Sequence, residues 1–400
     1  MLINNLNEKY NPLYFLAALG AGGLAVSFFM YPNFLIAHKG TPMLTFDQIV
    51  PLLMGEDKLT AILLSGALIA IALLSILHFR LLFWNISEYR KFKKTETFQA
   101  LMNSNREISL MVIPLTLAMT VNVSFILGAV FVPGLWSVVE YLFPVAIATF
   151  LAIGIYALKI LGDYFSRIFI KGDFKFSENN NFTQMIAVFA LTMIAVGLAA
   201  PGAMSHYKEV NAIGMLLSIF FLSIAMILLV IKMILAFKST LKHGVDKATS
   251  ASLWMMIPIL TLMGITIIRL TMGLHHGFEE TLSKPSFFII TSVVVSLQIF
   301  IGLIGYKVMK AVGYFRDHSQ GDSANAGSFA LICPGVAFFV FGMFFLVFGL
   351  VQNGLIDLMS PAFFVLLAPL IVVQIQTLRV FFRLLCKVTA CGPCKVNLAV

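Results

Sequence analysis

The sequence has few charged residues and no long polar region. Only 11% of its 400 residues are Asp, Glu, Lys or Arg, and 60% are hydrophobic, whereas soluble domains carry about 25% charged residues. The mean hydropathy is +0.96, and no stretch is polar enough to form a sizeable soluble domain. These deficits exclude a soluble protein and indicate an integral protein of the lipid bilayer.

Cysteines are also few, and their positions give little support to redox or metal chemistry. Cys391 and Cys394 form a CGPC sequence on a predicted tail, without the strand and helix that usually flank a thioredoxin-like motif. That pair and the nearby Cys386 supply too few ligands for a metal site. We therefore predict no cofactor and no metal, and a membrane redox protein that uses the CGPC tail stays the least favoured alternative.

Catalytic motifs are absent as well. The chain has no HExxH, no GxSxG and no phosphate-binding glycine loop. Carboxylates are scarce inside the hydrophobic runs, with Glu140 near the end of one of them. This scarcity counts against a buried acid relay for protons. The sequence therefore predicts a protein that is not an enzyme, and it favours passive conduction or uniport.

Hydrophobic runs of about 20 residues are what the sequence has in abundance. They predict ten membrane spans, at 12–34, 58–83, 108–132, 136–164, 182–203, 210–237, 250–272, 286–311, 328–351 and 361–386. Of the 27 Lys and Arg residues, 22 lie on the side of the N-terminus when the spans alternate. This bias predicts that both termini are cytoplasmic, and it accounts for the net charge of +9 without a nucleic-acid partner.

The alternation of long basic loops with short ones on the other side suggests helical hairpins. We therefore expect residues 1–386 to form an all-α transmembrane domain of five such hairpins. Residues 387–400 are predicted to be a short cytoplasmic tail.

Three odd-numbered spans share a sequence motif. SLMVIPLTLAM in span 3, SLWMMIPILTLM in span 7 and SFALICPGVAF in span 9 each begin with serine and reach a proline five or six residues later. Pro114, Pro258 and Pro334 are 144 and 76 residues apart, which fits a repeat of about one helical hairpin. Span 5 has no proline near Ile186, and span 1 has LGAGG at 19–23 instead.

A proline inside a membrane helix frees backbone groups that must be buried in protein or face water. Odd-numbered spans weakened at similar depth are therefore expected to surround a common axis, with the even-numbered spans in contact with lipid. The alternative is that these are ordinary packing kinks. The predicted helix breaks are Pro114, Pro258, Pro334 and Gly335.

A polar lining for such an axis would come from hydroxyl and amide side chains on the odd spans. The alternative for each threonine is a hydrogen bond to its own preceding turn. Arg269, near the outer end of span 7, either draws anions into an outer vestibule or reaches the lipid headgroups. The predicted lining residues are Thr116, Thr120, Gln184, Thr192, Thr261, Thr266, Cys333 and Pro334.

The histidines lie mostly near predicted span ends. His275 and His276 precede Glu279 and Glu280, a group in which metal binding is conceivable but a solvated loop is favoured. His78, near the inner end of span 2, is expected at the membrane interface.

NPLYFLAALGAGGLA in span 1, the proline-bearing odd spans and the five hairpins together resemble the tellurite-resistance/dicarboxylate transporter family. That family includes bacterial homologues and the plant guard-cell slow anion channel, and the resemblance covers roughly residues 8–386. It implies hairpins around a central pore, small inorganic anions or organic acids as substrates, a homotrimer, and a bacterial inner membrane.

The chain departs from this family at the pore gate. The resemblance implies a phenylalanine in the middle of span 9, at a position that falls here on Cys333 or Pro334. Phe338, Phe189 and Phe28 are the candidate replacements. The sequence therefore predicts an anion channel or channel-like transporter. The alternative is an ion-coupled exporter of dicarboxylate, sulfite or a tellurite-related anion.

Overall fold

The computed structural model describes residues 2–38, 40–175, 183–321 and 323–389. Within these ranges the chain is helical and contains no β-strand, as predicted. Ten helices are long and apolar enough to cross a membrane, which confirms the predicted number. Spans 1 to 10 are Pro12–Leu35, Lys58–Phe92, Asn105–Phe131, Leu135–Lys171, Thr183–Met204, Lys208–His243, Lys247–Phe278, Lys284–Ala311, Ala326–Val351 and Pro361–Thr389.

Two short α-helices, Phe46–Leu53 and Glu96–Met102, and a π-helix, Phe315–Gln320, lie in the connections between spans. The odd-numbered spans begin at one end of the helical bundle. We call this end the basic face, after Lys91, Arg167 and Lys247. The end at which the odd-numbered spans finish is called the opposite face. Cys391 and Cys394 lie outside the described residues.

Odd and even spans differ sharply in burial. In the most hydrophobic window of each odd span, 61 to 94% of the residues are buried, against 22 to 39% in the even spans. Even spans instead expose large apolar side chains such as Leu73, Ile155 and Leu303. So many large apolar side chains on the outer surface of the bundle indicate contact with lipid or with another apolar surface.

The odd spans form a closed ring. Span 1 packs on span 3, span 3 on span 5, span 5 on span 7 and span 7 on span 9, and span 9 returns to span 1. Each even span packs against the odd spans immediately before and after it, with span 10 against spans 9 and 1. The ring is therefore the inner layer of the bundle.

Each odd span begins as a 3₁₀-helix and continues as an α-helix. The α-helical segments start at Phe15, Val112, Ile186, Met256 and Ile332. The five 3₁₀ segments contact one another in the same cyclic order as the spans. We call this second ring, at the basic face, the collar. It comprises Pro12–Tyr14, Asn105–Met111, Thr183–Met185, Lys247–Met255 and Ala326–Leu331.

The repeated prolines lie where the collar meets the α-helices. Pro114, Pro258 and Pro334 are each the third residue of an α-helical segment. The first N–H groups of an α-helix have no partner within it, so a proline in the first turn costs little. These prolines therefore mark the beginning of an α-helix inside the span, at the change from 3₁₀ to α geometry. Val188 has the equivalent place in span 5.

The glycines of LGAGG serve close packing. A Cβ atom added at Gly20 would lie 3.0 Å from Ile332 Cγ2, and one at Gly23 would lie 3.2 Å from Val336 Cγ1. Both neighbours belong to span 9, so these glycines let spans 1 and 9 approach closely and close the ring.

Candidate functional site

A cavity of about 630 Å³ lies inside the ring. All five odd spans contribute to its wall, together with span 4 and the connection between spans 1 and 2. The lining extends from His38, Met204 and Gln352 at the opposite face to the first turns of the α-helical segments. No residue of the collar lines it. The cavity therefore occupies one half of the ring and ends where the collar begins.

Apolar side chains make up most of the wall, and fourteen of them are aromatic or thioether side chains. Such surfaces cannot supply hydrogen bonds to a dissolved ion. They come from spans 1, 3, 4, 5, 7 and 9 and from the connection between spans 1 and 2. These residues are Phe29, Met30, Phe34, Met43, Met119, Phe125, Phe143, Phe150, Phe189, Met193, Met204, Met272, Phe344 and Phe348.

Arg269 is the only Asp, Glu, Lys or Arg among the described residues that line the cavity. Its Nη1 donates a hydrogen bond to the Val196 carbonyl oxygen over 2.7 Å, which orients the guanidinium. The side chain is half-buried, and no carboxylate of the described residues forms an ion pair with it. Of the two predicted positions, Arg269 therefore takes the one facing the cavity.

Other polar side chains also line the cavity, among them Asn122 on span 3 and Thr261 on span 7. The Asn122 amide nitrogen lies 3.5 Å from Met193 Sδ, a weak acceptor. Thr261 donates to the carbonyl oxygens of Ile257 and Ala337, both at 3.1 Å, and accepts a hydrogen bond from Gln298 over 2.7 Å. Thr261 is thus fixed by its neighbours, whereas Asn122 has a weakly engaged amide.

The base of the cavity is formed by Phe189, Cys333 and Pro258 among others. Phe189 is 3% exposed and Cys333 8% exposed, so both are packed in the ring while one side reaches the cavity. Phe189 is the predicted gate candidate that lines the cavity. Phe28 and Phe338 are half-buried and are not part of the lining.

Several predicted lining residues lie away from the cavity. Thr116, Thr120, Thr192 and Thr266 each donate to the carbonyl oxygen four residues earlier. This is the alternative considered for them, and it satisfies the hydroxyl within the helix. Of the six predicted hydroxyl and amide residues, only Thr261 lines the cavity.

Gln184 belongs to the collar. Its Oε1 accepts hydrogen bonds from Lys232 Nζ over 2.8 Å and from Tyr164 OH over 3.0 Å, and its Nε2 donates to the Asn105 carbonyl over 3.0 Å. Lys232 is 4% exposed and also lies over the Tyr164 ring. Nothing in the hydrophobic run of span 6 suggests that its lysine is buried, because long side chains near span ends usually reach the interface.

Of the four predicted helix-break residues, one lines the cavity and three do not. Pro258 lines the cavity, whereas Pro114, Pro334 and Gly335 do not. A Cβ added at Gly335 would lie 2.0 Å from Thr377 Oγ1 of span 10. Gly335 therefore permits close packing of spans 9 and 10.

His78 is buried, not interfacial as expected. Its Nδ1 lies 2.7 Å from the Ala18 carbonyl oxygen and its Nε2 lies 3.0 Å from Thr120 Oγ1. The imidazole thereby links span 2 to spans 1 and 3, and it satisfies polar groups that lipid could not.

At the opposite face, His276 of span 7 lies next to His206, which follows span 5. His276 Nε2 lies 3.0 Å from His206 Nδ1, and Glu140 accepts hydrogen bonds from the His206 N–H and the Ser205 hydroxyl. Within the described residues, no group of three or more His, Cys, Asp and Glu side chains could hold a metal ion.

Comparisons of the chain with protein-family models, with curated proteins and with solved structures return no match. The site is therefore interpreted from its own residues and geometry.

Proposed function

We propose that the protein is an anion channel or channel-like transporter whose permeation path runs along the axis of the ring. One observation carries this proposal: five spans enclose a cavity in which Arg269 is the only charged side chain among the described lining residues. Substrates would be small inorganic or organic anions.

The selectivity follows from electrostatics. A cation set in a low-dielectric wall attracts anions into a cleft and repels cations. None of the described lining residues is a carboxylate that would offset Arg269. The sign of the field in the cavity therefore favours anions.

The orientation is proposed from the distribution of basic residues. With the basic face in the cytoplasm, the collar would close the path on the cytoplasmic side and the cavity would face outward. The alternation of the loops favours five hairpins, and the family resemblance implies a trimeric assembly. We also expect a bacterial inner membrane.

The positions of the carboxylates favour passive conduction over coupled transport. Glu88 pairs with Lys91 and accepts from the Asn5 and Leu6 N–H groups, and Glu107 pairs with Arg167. These acids lie at the basic face, and none of the described lining residues could relay a proton as a buried acid.

The test is a planar-bilayer recording on the purified full chain under gradients of chloride, nitrate and organic anions. We expect currents whose reversal potentials follow the anion gradient. Transport that occurs only with an imposed proton or sodium gradient would favour the coupled exporter. The absence of both current and flux for every anion tested would contradict the proposal.

The redox alternative has its own test. A Soret band in the absorption spectrum of the purified protein would support haem ligation, and loss of transport in Cys391→Ser/Cys394→Ser would support a role for the tail. We expect no such band and unchanged transport.

A further inference from the structure

Building on the proposed function, we propose that the cavity binds an organic monoanion with an apolar body, with its carboxylate on Arg269 and its hydrocarbon part against the aromatic wall. Alkyl and aryl monocarboxylates are the chemical class that fits. Dicarboxylates and strongly hydrated inorganic anions fit less well.

The charge of the site matches one carboxylate. Arg269 supplies one guanidinium, held in place by the Val196 carbonyl through Nη1. A guanidinium has five N–H donors in a planar fork, so donors remain for a ligand. Such a fork binds a carboxylate through two parallel hydrogen bonds.

A second negative charge on the ligand would find no partner. Arg269 is the single cation among the described lining residues, and an unpaired carboxylate inside an apolar cavity carries a large desolvation cost. A dicarboxylate would therefore leave one of its charges against phenylalanine and methionine.

The apolar wall favours the hydrocarbon part of a ligand over an inorganic ion. Phe125, Phe143, Phe150 and Met193 belong to spans 3, 4 and 5, beside the Arg269 contact on span 5. Nitrate or chloride would lose its hydration shell there without replacement, whereas an alkyl or aryl group gains from leaving water. The cavity volume of about 630 Å³ is in the range of sites for small organic ligands.

A second polar group lies at nearly the same depth. Asn122 contacts Met193, and Arg269 contacts Val196. Met193 and Val196 are three residues apart on span 5, so they lie on one face about one turn apart. Because its present partner is a thioether, the Asn122 amide is available to a hydroxyl or to a carboxylate oxygen of the ligand.

The experiment measures binding to the purified full chain by calorimetry and by thermal unfolding. Three probes separate charge from shape: phenylacetate, its neutral near-isostere 2-phenylethanol, and the dianion succinate. We expect phenylacetate to bind at least about tenfold more tightly than the other two, in line with a charge-assisted hydrogen bond. Succinate or 2-phenylethanol binding as tightly as phenylacetate would overturn the inference.

Variants locate the carboxylate. Arg269→Gln should weaken phenylacetate binding by at least about tenfold, and Arg269→Lys should recover only part of it because lysine has no fork. Lys208→Gln, which removes an exposed cation near the opposite face, should leave binding unchanged. Unaltered phenylacetate binding in a folded Arg269→Gln protein would contradict the proposal.

A second pair of variants keeps the arginine. Met272 lines the cavity three residues after Arg269, so Met272→Asp places a carboxylate beside the guanidinium. Met272→Asp should abolish phenylacetate binding, whereas Met272→Asn should retain most of it. Equal binding by these two variants would contradict the placement of the carboxylate on Arg269, even if Arg269→Gln does not fold.

Failure of this inference is distinguishable from failure of the proposed function. Nitrate currents without any phenylacetate binding would remove the ligand class and leave the anion path. Arginine-dependent phenylacetate binding without current for any anion would keep the site and remove the channel.

Discussion

The two halves of the ring are built from the same five spans but with different chemistry. At the basic face, the collar is a closed ring, and its buried Gln184 is hydrogen-bonded to Asn105 of the collar, to Tyr164 of span 4 and to Lys232 of span 6. Toward the opposite face, the same spans separate around a cavity lined mainly by apolar side chains.

The difference between the two halves suggests that one stabilises the bundle and the other binds a ligand. Buried polar groups stabilise a structure only when every partner is present, and the collar meets that condition at Gln184. In the cavity half, the side chains of Arg269 and Asn122 keep hydrogen-bonding capacity for a ligand. We infer that the collar fixes the shape of the bundle and that the cavity half meets the permeating molecule. The predictions below test where one half ends and the other begins.

The largest effect is expected at Phe189, which lines the cavity in the first α-helical turn after the collar segment of span 5. An apolar constriction blocks ions by excluding water, so Phe189→Ala should raise anion flux by about tenfold or more. Flux into proteoliposomes under a nitrate gradient measures this.

Phe28→Ala is the matched control, because Phe28 is half-buried on span 1 and outside the lining. The reciprocal variant Cys333→Phe adds a ring at the base and should lower the flux. Equal flux in the Phe189→Ala, Phe28→Ala and wild-type proteins would mean that the two halves do not meet at Phe189.

Gly335→Ala should cause the largest loss of stability. Gly335 lies in the first α-helical turn after the collar on span 9. A methyl group there would meet Thr377, whose Oγ1 would be 2.0 Å away. Overpacking of this kind costs about 1–3 kcal/mol, measured as a lower midpoint of thermal unfolding in detergent.

Gly66→Ala is the control, because a Cβ at Gly66 meets no atom within 4 Å. Thr377→Ala should partly rescue Gly335→Ala. If Gly335→Ala is as stable as Gly66→Ala but has altered flux, the residue acts in permeation instead of packing.

Gln184→Leu tests the closed half directly. The substitution leaves the Lys232 ammonium, the Tyr164 hydroxyl and the Asn105 carbonyl without this partner. We expect a loss of about 2 kcal/mol, observed by thermal or denaturant unfolding.

Adding Lys232→Met to Gln184→Leu should recover stability, since removing both members of a buried polar pair costs less than removing one. Gln352→Leu, at the rim of the cavity, is the control for the change in side-chain type. A double variant less stable than Gln184→Leu alone would show that Lys232 stabilises the collar independently of Gln184.

The smallest effect concerns Asp317, in the connection that leads from span 8 to span 9. Hydrogen bonds from Arg316 and then Lys247 lower the pKa of Asp317 to about 2. A carboxyl with a lowered pKa contributes its full stabilisation above the unfolded-state pKa of about 4, and loses it as the pH falls through about 2.

Asp317→Asn should therefore lower the unfolding midpoint slightly at pH 7, and the difference from wild type should shrink as the pH falls from 4 to 2. Asp246→Asn, whose side chain bonds only the Thr249 hydroxyl among the described residues, controls for loss of an acid near the same face. A difference independent of pH would exclude the ion pairs as its cause.

Hydrophobicity predicted the ten spans because lipid imposes a length and a composition that any spanning helix must meet. The recurrence of Pro114, Pro258 and Pro334 also predicted which spans share a register. It did not reveal the collar, because span 5 makes the same 3₁₀-to-α transition with Val188 in the place of a proline.

The directions of individual side chains were harder to predict. Span 5 is buried on nearly every side, so its sequence has no polar stripe that would mark the face toward the cavity. The sequence therefore did not decide whether Thr192 lines a path or bonds within its own helix, and it did not distinguish Phe189 from Phe28. Lys232 was unpredictable for a related reason, because its partner Gln184 is distant in the sequence.

The ring repeats its backbone five times within a single chain, and this has a consequence for how such a site can change. In a channel assembled from five identical subunits, every substitution is copied around the axis, so one arginine becomes five mutually repelling charges. Here Arg269 occurs once, on span 7, and the described lining residues of the other spans include no further Asp, Glu, Lys or Arg. A pseudo-symmetric frame of this kind can hold an asymmetric molecule in one orientation, and each of its five sectors is free to diverge separately.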